Sequence, residues 1–154
     1  MTARPGGWIT PRWGAAWVAL TAAFALHVAD EATHDFLAWY NPTVLVLRAR
    51  LPFVPVPVFT FREWLTGLVV AVVLFALLSR FAFRGARWLL PLAYFYAIIH
   101  VGNALGHVTV SVLNGRLMPG VLSAPALLAA AVWLLVEAER VRRSTAPVER
   151  SAAA

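Results

Sequence analysis

Two stretches of this chain are apolar enough to cross a bilayer, yet between them they carry all of its histidines. The four fall in two octapeptides, His27-Val-Ala-Asp-Glu-Ala-Thr-His34 and His100-Val-Gly-Asn-Ala-Leu-Gly-His107. Each opens His-Val and closes on His seven residues later, and Asp30 and Asn103 share one place in the frame. A backbone in hydrocarbon must satisfy its own N–H and C=O groups, which leaves helices or a closed barrel. Ionisable side chains there are costly unless they face one another or a water-filled cavity, so they point to a site. Scattered core histidines would not fall into two matching frames.

Charged residues make up 13% of the 154 residues, about half the usual share of a soluble domain, and the mean hydropathy is +0.74. The chain therefore reads as one all-α membrane domain over 1–143, with a polar tail at 144–154 expected to be disordered and cytoplasmic. The absence of cysteine removes disulfides, thiolate ligands and cysteine nucleophiles, so any metal must be held by nitrogen and oxygen. The +6 charge comes from thirteen arginines. On a membrane protein this is a topology signal, and no nucleic-acid partner is expected. Neither a phosphate-binding Gly-Lys-Ser/Thr loop nor a Gly-x-Ser-x-Gly elbow is present.

Four apolar stretches, near 13–39, 63–80, 88–114 and 119–140, approach the roughly 20 residues a crossing needs. They predict a four-transmembrane-helix bundle whose halves look like two repeated helical hairpins about an axis along the membrane normal. Trp13, Trp39, Trp64 and Trp88 lie at the predicted ends, where indoles favour the interface. The segment 40–62, with Asn41-Pro42 and Pro52-Phe53-Val54-Pro55-Val56-Pro57, reads as an external ordered or re-entrant loop. Arg4, Arg12, Arg80, Arg84, Arg87, Arg140, Arg142, Arg143 and Arg150 would share one side, and Arg48, Arg50, Arg62 and Arg116 the other. That split places both termini in the cytoplasm. A rival reading of the first span as a signal peptide, cut near Ala23-Phe24-Ala25, would sever one octapeptide from the other.

At about 100° per residue, positions 27, 30, 31 and 34 fall within roughly a 100° arc, and 100, 103 and 107 fall in the same relative arc. The first and third spans run the same way. Equal depth would then set His27 opposite His100 and His34 opposite His107. Gly102-x-x-x-Gly106, on the other side of the third span, predicts close approach by the second or fourth helix.

Taken in order, His27-x-x-Asp30-Glu31, Asn103-x-x-x-His107 and Arg116-Leu-Met-Pro119-Gly120 resemble the HXXEE family of small bacterial membrane proteins, over roughly residues 20–135. Asp30 stands where the family name has its first Glu, keeping the carboxylate but shortening its reach. The resemblance implies a multi-pass protein of the bacterial inner (plasma) membrane and brings no settled activity with it.

The residues themselves suggest metal chemistry. His27 and Glu31 are one helical turn apart, and Glu31 with His34 forms the Glu-x-x-His pair used in carboxylate-bridged metal bundles. His27 and His34 are separated by about 10 Å of rise. Two layers follow: His27, Glu31 and His100 in one, and Asp30, His34, Asn103 and His107 in the other. The ligand set His27, Glu31, His34, His100, Asn103 and His107 suits zinc, iron or manganese, as one ion or two. A haem between His27 and His100 fits poorly beside buried carboxylates. Asp30 and Glu31 are the candidate proton acceptors. Glu63 could close the site from above, its bland alternative being a helix-start carboxylate; for Arg116 with Pro119-Gly120 it is a tight turn.

The leading expectation is a metal-dependent membrane enzyme acting on a lipid or other apolar substrate, either a hydrolase or an iron-dependent oxidoreductase. Its competitors are a metal-free acid–base network, a proton or metal transporter, and a structural subunit. Transport needs a polar path to the cytoplasm, and below His27 the first span offers only Thr21.

Overall fold

The computed structural model describes residues 9–144, which form five α-helices and no strand. They are α1 (Ile9–Thr33), α2 (Phe36–Arg50), α3 (Phe61–Phe83), α4 (Leu90–Asn114, entered through a 3-10 turn at Arg87–Leu89) and α5 (Ala124–Arg143). The expectations for Arg4, Arg150 and the tail from 145 onward lie outside the described residues.

α1 is the hub, packing on α3 and α5, while α4 packs chiefly on α5. Its inward face repeats at helical spacing: Trp13, Ala16, Trp17 and Leu20 are completely enclosed, and Phe24, His27 and Glu31 continue the stripe. Small residues of α5, among them Ala124, Ala131 and Ala138, are buried in the same core cluster. Contacts between α1 and α4 ascend together. Trp17 meets Tyr96 at 5.6 Å between ring centres, Phe24 meets His100 at 4.6 Å, and His27 meets His107 at 4.7 Å. The two helices are therefore parallel, and long side chains rather than close backbones join them.

Three helices are long and apolar enough to cross a membrane: Pro11–Thr33, Phe61–Phe83 and Arg87–Asn114. α5 is long enough at 20 residues, but Glu137, Glu139 and Arg140 sit inside it. α3 turns Val69, Val73, Leu74 and Leu77 outward, the inverse of a water-soluble helix.

Several expectations are corrected here. The first span does not reach Trp39. α1 stops at Thr33, Asp35 takes a left-handed conformation (φ 56°), and the chain sets off again as α2. Up to Arg50, then, the expected loop 40–62 is helical. Pro42 lies inside α2, where it removes one backbone hydrogen bond without ending the helix. The later prolines do keep residues 52–60 out of helix. Asn41 clamps that stretch, its Nδ2 donating to Phe59 O at 2.9 Å while its Oδ1 accepts from Phe59 N at 3.1 Å. At 15 residues, α2 is about 22 Å long and too short to cross.

Of the four tryptophans at the expected span ends, Trp13 and Trp64 are buried against the protein and only Trp88 is largely exposed. No helix packs closely against Gly102 or Gly106, where an added Cβ would meet nothing within 4 Å. The close glycine approach is at Gly14 instead, where a Cβ would overlap the Phe83 ring of α3.

Candidate metal centre

α1 turns His27 and Glu31, one turn apart, toward α4, and α4 turns His107 back toward them. His107 Nε2 lies 3.1 Å from Glu31 Oε1, and His27 Nε2 lies 3.6 Å from the same oxygen. The three ligand-type atoms fall within 4.8 Å of one another, and all three residues are buried.

The outer nitrogen of each ring is already committed. His107 Nδ1 donates to the backbone oxygen of Pro119 at 2.6 Å. His27 Nδ1 donates to Ser123 Oγ at 2.8 Å, and that hydroxyl passes its own proton on to Asp30 Oδ2 at 2.7 Å. Both Nε2 atoms are thereby left facing Glu31 Oε1. Two ring nitrogens and a carboxylate oxygen thus converge, with Asn103 Nδ2 at their edge, 3.2 Å from His27 Nε2. Histidines that bind metals characteristically donate their second nitrogen to a carbonyl or, directly or through a relay, to a carboxylate. Both forms of support are present.

The turn between α4 and α5 closes over this group. Gly120 has φ +85°, and a Cβ there would meet His107 Cε1 at 2.6 Å and His27 Cε1 at 2.9 Å. Only glycine lets the backbone pass so close. Asp30 Oδ2 accepts from both the N–H and the hydroxyl of Ser123, at 2.9 and 2.7 Å. It thus serves the start of α5 from another helix, where unpaired N–H groups and the helix dipole favour an anion.

The six expected ligands separate into three groups. His27, Glu31 and His107 come together, with Asn103 at their edge. His100 is buried but stands apart, its Nδ1 donating to Tyr96 O at 2.8 Å and its ring set between Phe24 and Tyr96. His34 leaves the group altogether: its side chain is 52% exposed and its Nδ1 sits 2.9 Å from Asp30 Oδ1. The expected pairs His27/His100 and His34/His107 are therefore replaced by His27/His107. The reason is depth. His100 lies level with Phe24, about one turn below His27, while His107 lies level with His27.

The expected two-fold repeat fails at the site for the same reason, since it would pair His34 with His100 wherever it pairs His27 with His107. Of the candidate proton acceptors, Asp30 has both oxygens engaged, and Glu31 alone faces the group. Glu63 does not close the site. Its Oε2 accepts from Thr60 N at 2.9 Å and from Thr60 Oγ1 at 2.8 Å, completing a capping box at the start of α3.

Ser123 escaped the sequence reading. Its position just before the alanine-rich helix marks an N-cap, but nothing local tells that its partner lies 93 residues away. Phe36 was missed as well; its ring centre stands 5.8 Å from that of His107. Beyond it opens a cavity of about 310 Å³, between α2 and α4, to which Asn103 and His107 both contribute wall.

No family model, curated protein or solved structure matches the chain.

Proposed function

We propose that this chain is a four-crossing membrane protein holding a divalent metal ion on His27, Glu31 and His107, and that it acts as an enzyme on a lipid or other apolar substrate. The observation that carries the reading is the convergence of two imidazole Nε2 atoms and a carboxylate oxygen, with each ring's Nδ1 already bonded elsewhere. Such a buried group is satisfied either by a proton shared between His107 and Glu31, 3.1 Å apart, or by a cation that takes all three donors. The donor set is nitrogen and oxygen only, which suits zinc, iron or manganese.

Three protein donors leave room for a further ligand, as in catalytic rather than structural sites. A bound cation would supply Lewis acidity toward a substrate oxygen. Glu31 Oε1 and the two Nε2 atoms would be its ligands, and the Pro119–Ser123 turn would fix both rings through their Nδ1 atoms. The motifs His27-x-x-Asp30-Glu31 and Asn103-x-x-x-His107 remain the basis for placing the chain with the HXXEE family.

α5 completes the fourth crossing in this reading. At 1.5 Å per residue its length is about 30 Å, and its charged residues are confined to the last two turns. There Glu137 Oε1 lies 2.7 Å from Arg140 and 3.5 Å from Arg12, which gathers the arginine-rich ends. That end is cytoplasmic by the positive-inside bias, and α2 lies along the opposite interface.

Elemental analysis of the detergent-purified protein tests the proposal. Near-stoichiometric zinc, iron or manganese is expected, and His107→Ala should lose it. A folded, active, metal-free protein would overturn it in favour of an acid–base network, for which the hydrogen-bonded line His34–Asp30–Ser123–His27 already offers a route. Reporter fusions at Arg84 and after Ala154 should read cytoplasmic, and an insertion near Pro55 external. An external C-terminus would sink the four-crossing arrangement.

A further inference from the structure

The 310 Å³ cavity has two unlike ends. Its inner end is formed by the His107 ring and the Asn103 amide, the same groups that border the candidate metal centre. Its walls are apolar, with Phe36, Trp39 and Tyr40 from α2 on one side and Val110 of α4 on the other. Gly102 and Gly106 complete the α4 wall. Both glycines are exposed, and on the same helix Ile98, Ile99 and Leu105 are exposed as well. The cavity therefore adjoins an exposed apolar helix surface as well as the polar site.

The two glycines have no packing reason to be glycine. An added Cβ would meet nothing within 4 Å at either position. Both sit inside a helix, where glycine costs roughly 0.5–1 kcal/mol relative to alanine. Their effect is to keep the groove open where larger side chains would fill it. At roughly 30 Å³ for a water-sized unit, the cavity accepts on the order of ten heavy atoms in single file. A second helix, about 10 Å across, cannot enter it.

We infer that this groove binds a single-chain amphiphile, a fatty-acyl or prenyl-type chain with an oxygen-bearing head, entering sideways from the bilayer with its head at Asn103 and His107. The inference deepens the proposed function and rests on its reading of α4 as a membrane helix. The chain's methylenes lie against the aromatic wall of α2 while the head reaches the only strongly polar part of the lining. Charged or bulky polar substrates find no matching wall outside that inner end.

Photolabelling with a diazirine-bearing palmitic acid tests this on the whole protein in phosphatidylcholine vesicles, with metal content measured on the same samples. Label is expected on the peptides carrying Phe36–Tyr40 and Val110, and it should fall at least tenfold in Gly102→Leu/Gly106→Leu while metal content stays unchanged. Val110→Trp, which narrows the groove from another wall, should lower labelling in the same direction and serves if the double variant does not fold. Label spread over the outward face of α3 and indifferent to all three substitutions overturns the inference. A dimer that the glycine substitutions split also overturns it, because the glycine face would then belong to a second copy. Metal-free protein that still labels in the groove would retire the metal reading and keep this one. Metal-replete protein without groove labelling would do the reverse.

Discussion

The two histidine octapeptides are near twins in sequence and diverge in the fold. In the second, α4 runs unbroken from Leu90 to Asn114, so His100 and His107 stay on one helix, two turns apart. In the first, α1 ends at Thr33, and His34 falls in the break before α2. Only one histidine of each octapeptide reaches the candidate metal centre, and they are non-equivalent: the opening His27 and the closing His107. Spacing along a helix decides which residues share a face. Which faces meet is decided by where each helix starts and stops.

The strongest break of this comparison is by direct substitution. His107→Ala and Glu31→Ala should lower metal affinity by more than the roughly 10–100-fold typical of outer-shell changes. The other histidine of each octapeptide, tested as His34→Ala and His100→Phe, should leave metal content intact, because neither ring faces Glu31 Oε1. Isothermal titration of the purified protein with zinc or manganese measures all four. Equal losses at His34 and His107 would restore the symmetric site and discard the one described here.

A smaller effect is expected from the turn that closes over the rings. Gly120→Ala places a methyl within 3 Å of both imidazoles and should weaken metal binding by about 10–100-fold without touching a ligand. Ser123→Ala should cost about tenfold at the low end of the same range, since His27 Nδ1 loses its acceptor. It also frees Asp30 from one of its two bonds to the start of α5. Unchanged affinity in both variants would mean that the turn merely connects two helices.

How much of this was legible can be judged residue by residue. The long apolar segments and their arginine flanks carry their own signal, because hydrocarbon penalises any other arrangement. That the histidines and carboxylates of the first and third spans face one another was readable from helical periodicity and from the cost of burying ionisable groups, but His107 was expected in a different layer from His27 and Glu31. The register between α1 and α4 was not, since nothing in either helix's own sequence says which turn of one meets which turn of the other. Gly102 and Gly106 misled for a related reason. Their spacing is that of a helix–helix contact, yet what faces them is set by α2, which prolines and polar residues disguised as a loop. Ser123 and Gly120 act across the fold on rings far away in sequence, and local pattern says nothing about such partners.

The smallest expected effect bears on the cause of the divergence itself, the break at Asp35. With φ at 56°, this residue occupies a left-handed conformation that costs a non-glycine residue roughly 1–2 kcal/mol, somewhat less for Asp. Asp35→Gly removes that cost and should raise stability by about 0.5–1 kcal/mol, after allowing for the greater freedom glycine has in the unfolded chain. Metal affinity should not change, because Asp35 takes no part in the centre. If α1 instead continued as one helix through Trp39, the same substitution would put glycine in a helix interior and lower stability by up to about 1 kcal/mol. The sign alone therefore separates a broken first helix from a continuous one. Reversible denaturation in mixed micelles, run on Asp35→Gly beside Asp35→Ala, reads that sign directly. Alanine tolerates the left-handed conformation worse than Asp does but is the best helix former, so the two variants should move in opposite directions. A stabilised Asp35→Ala would show that the turn at His34–Asp35 is not what removes His34 from the site.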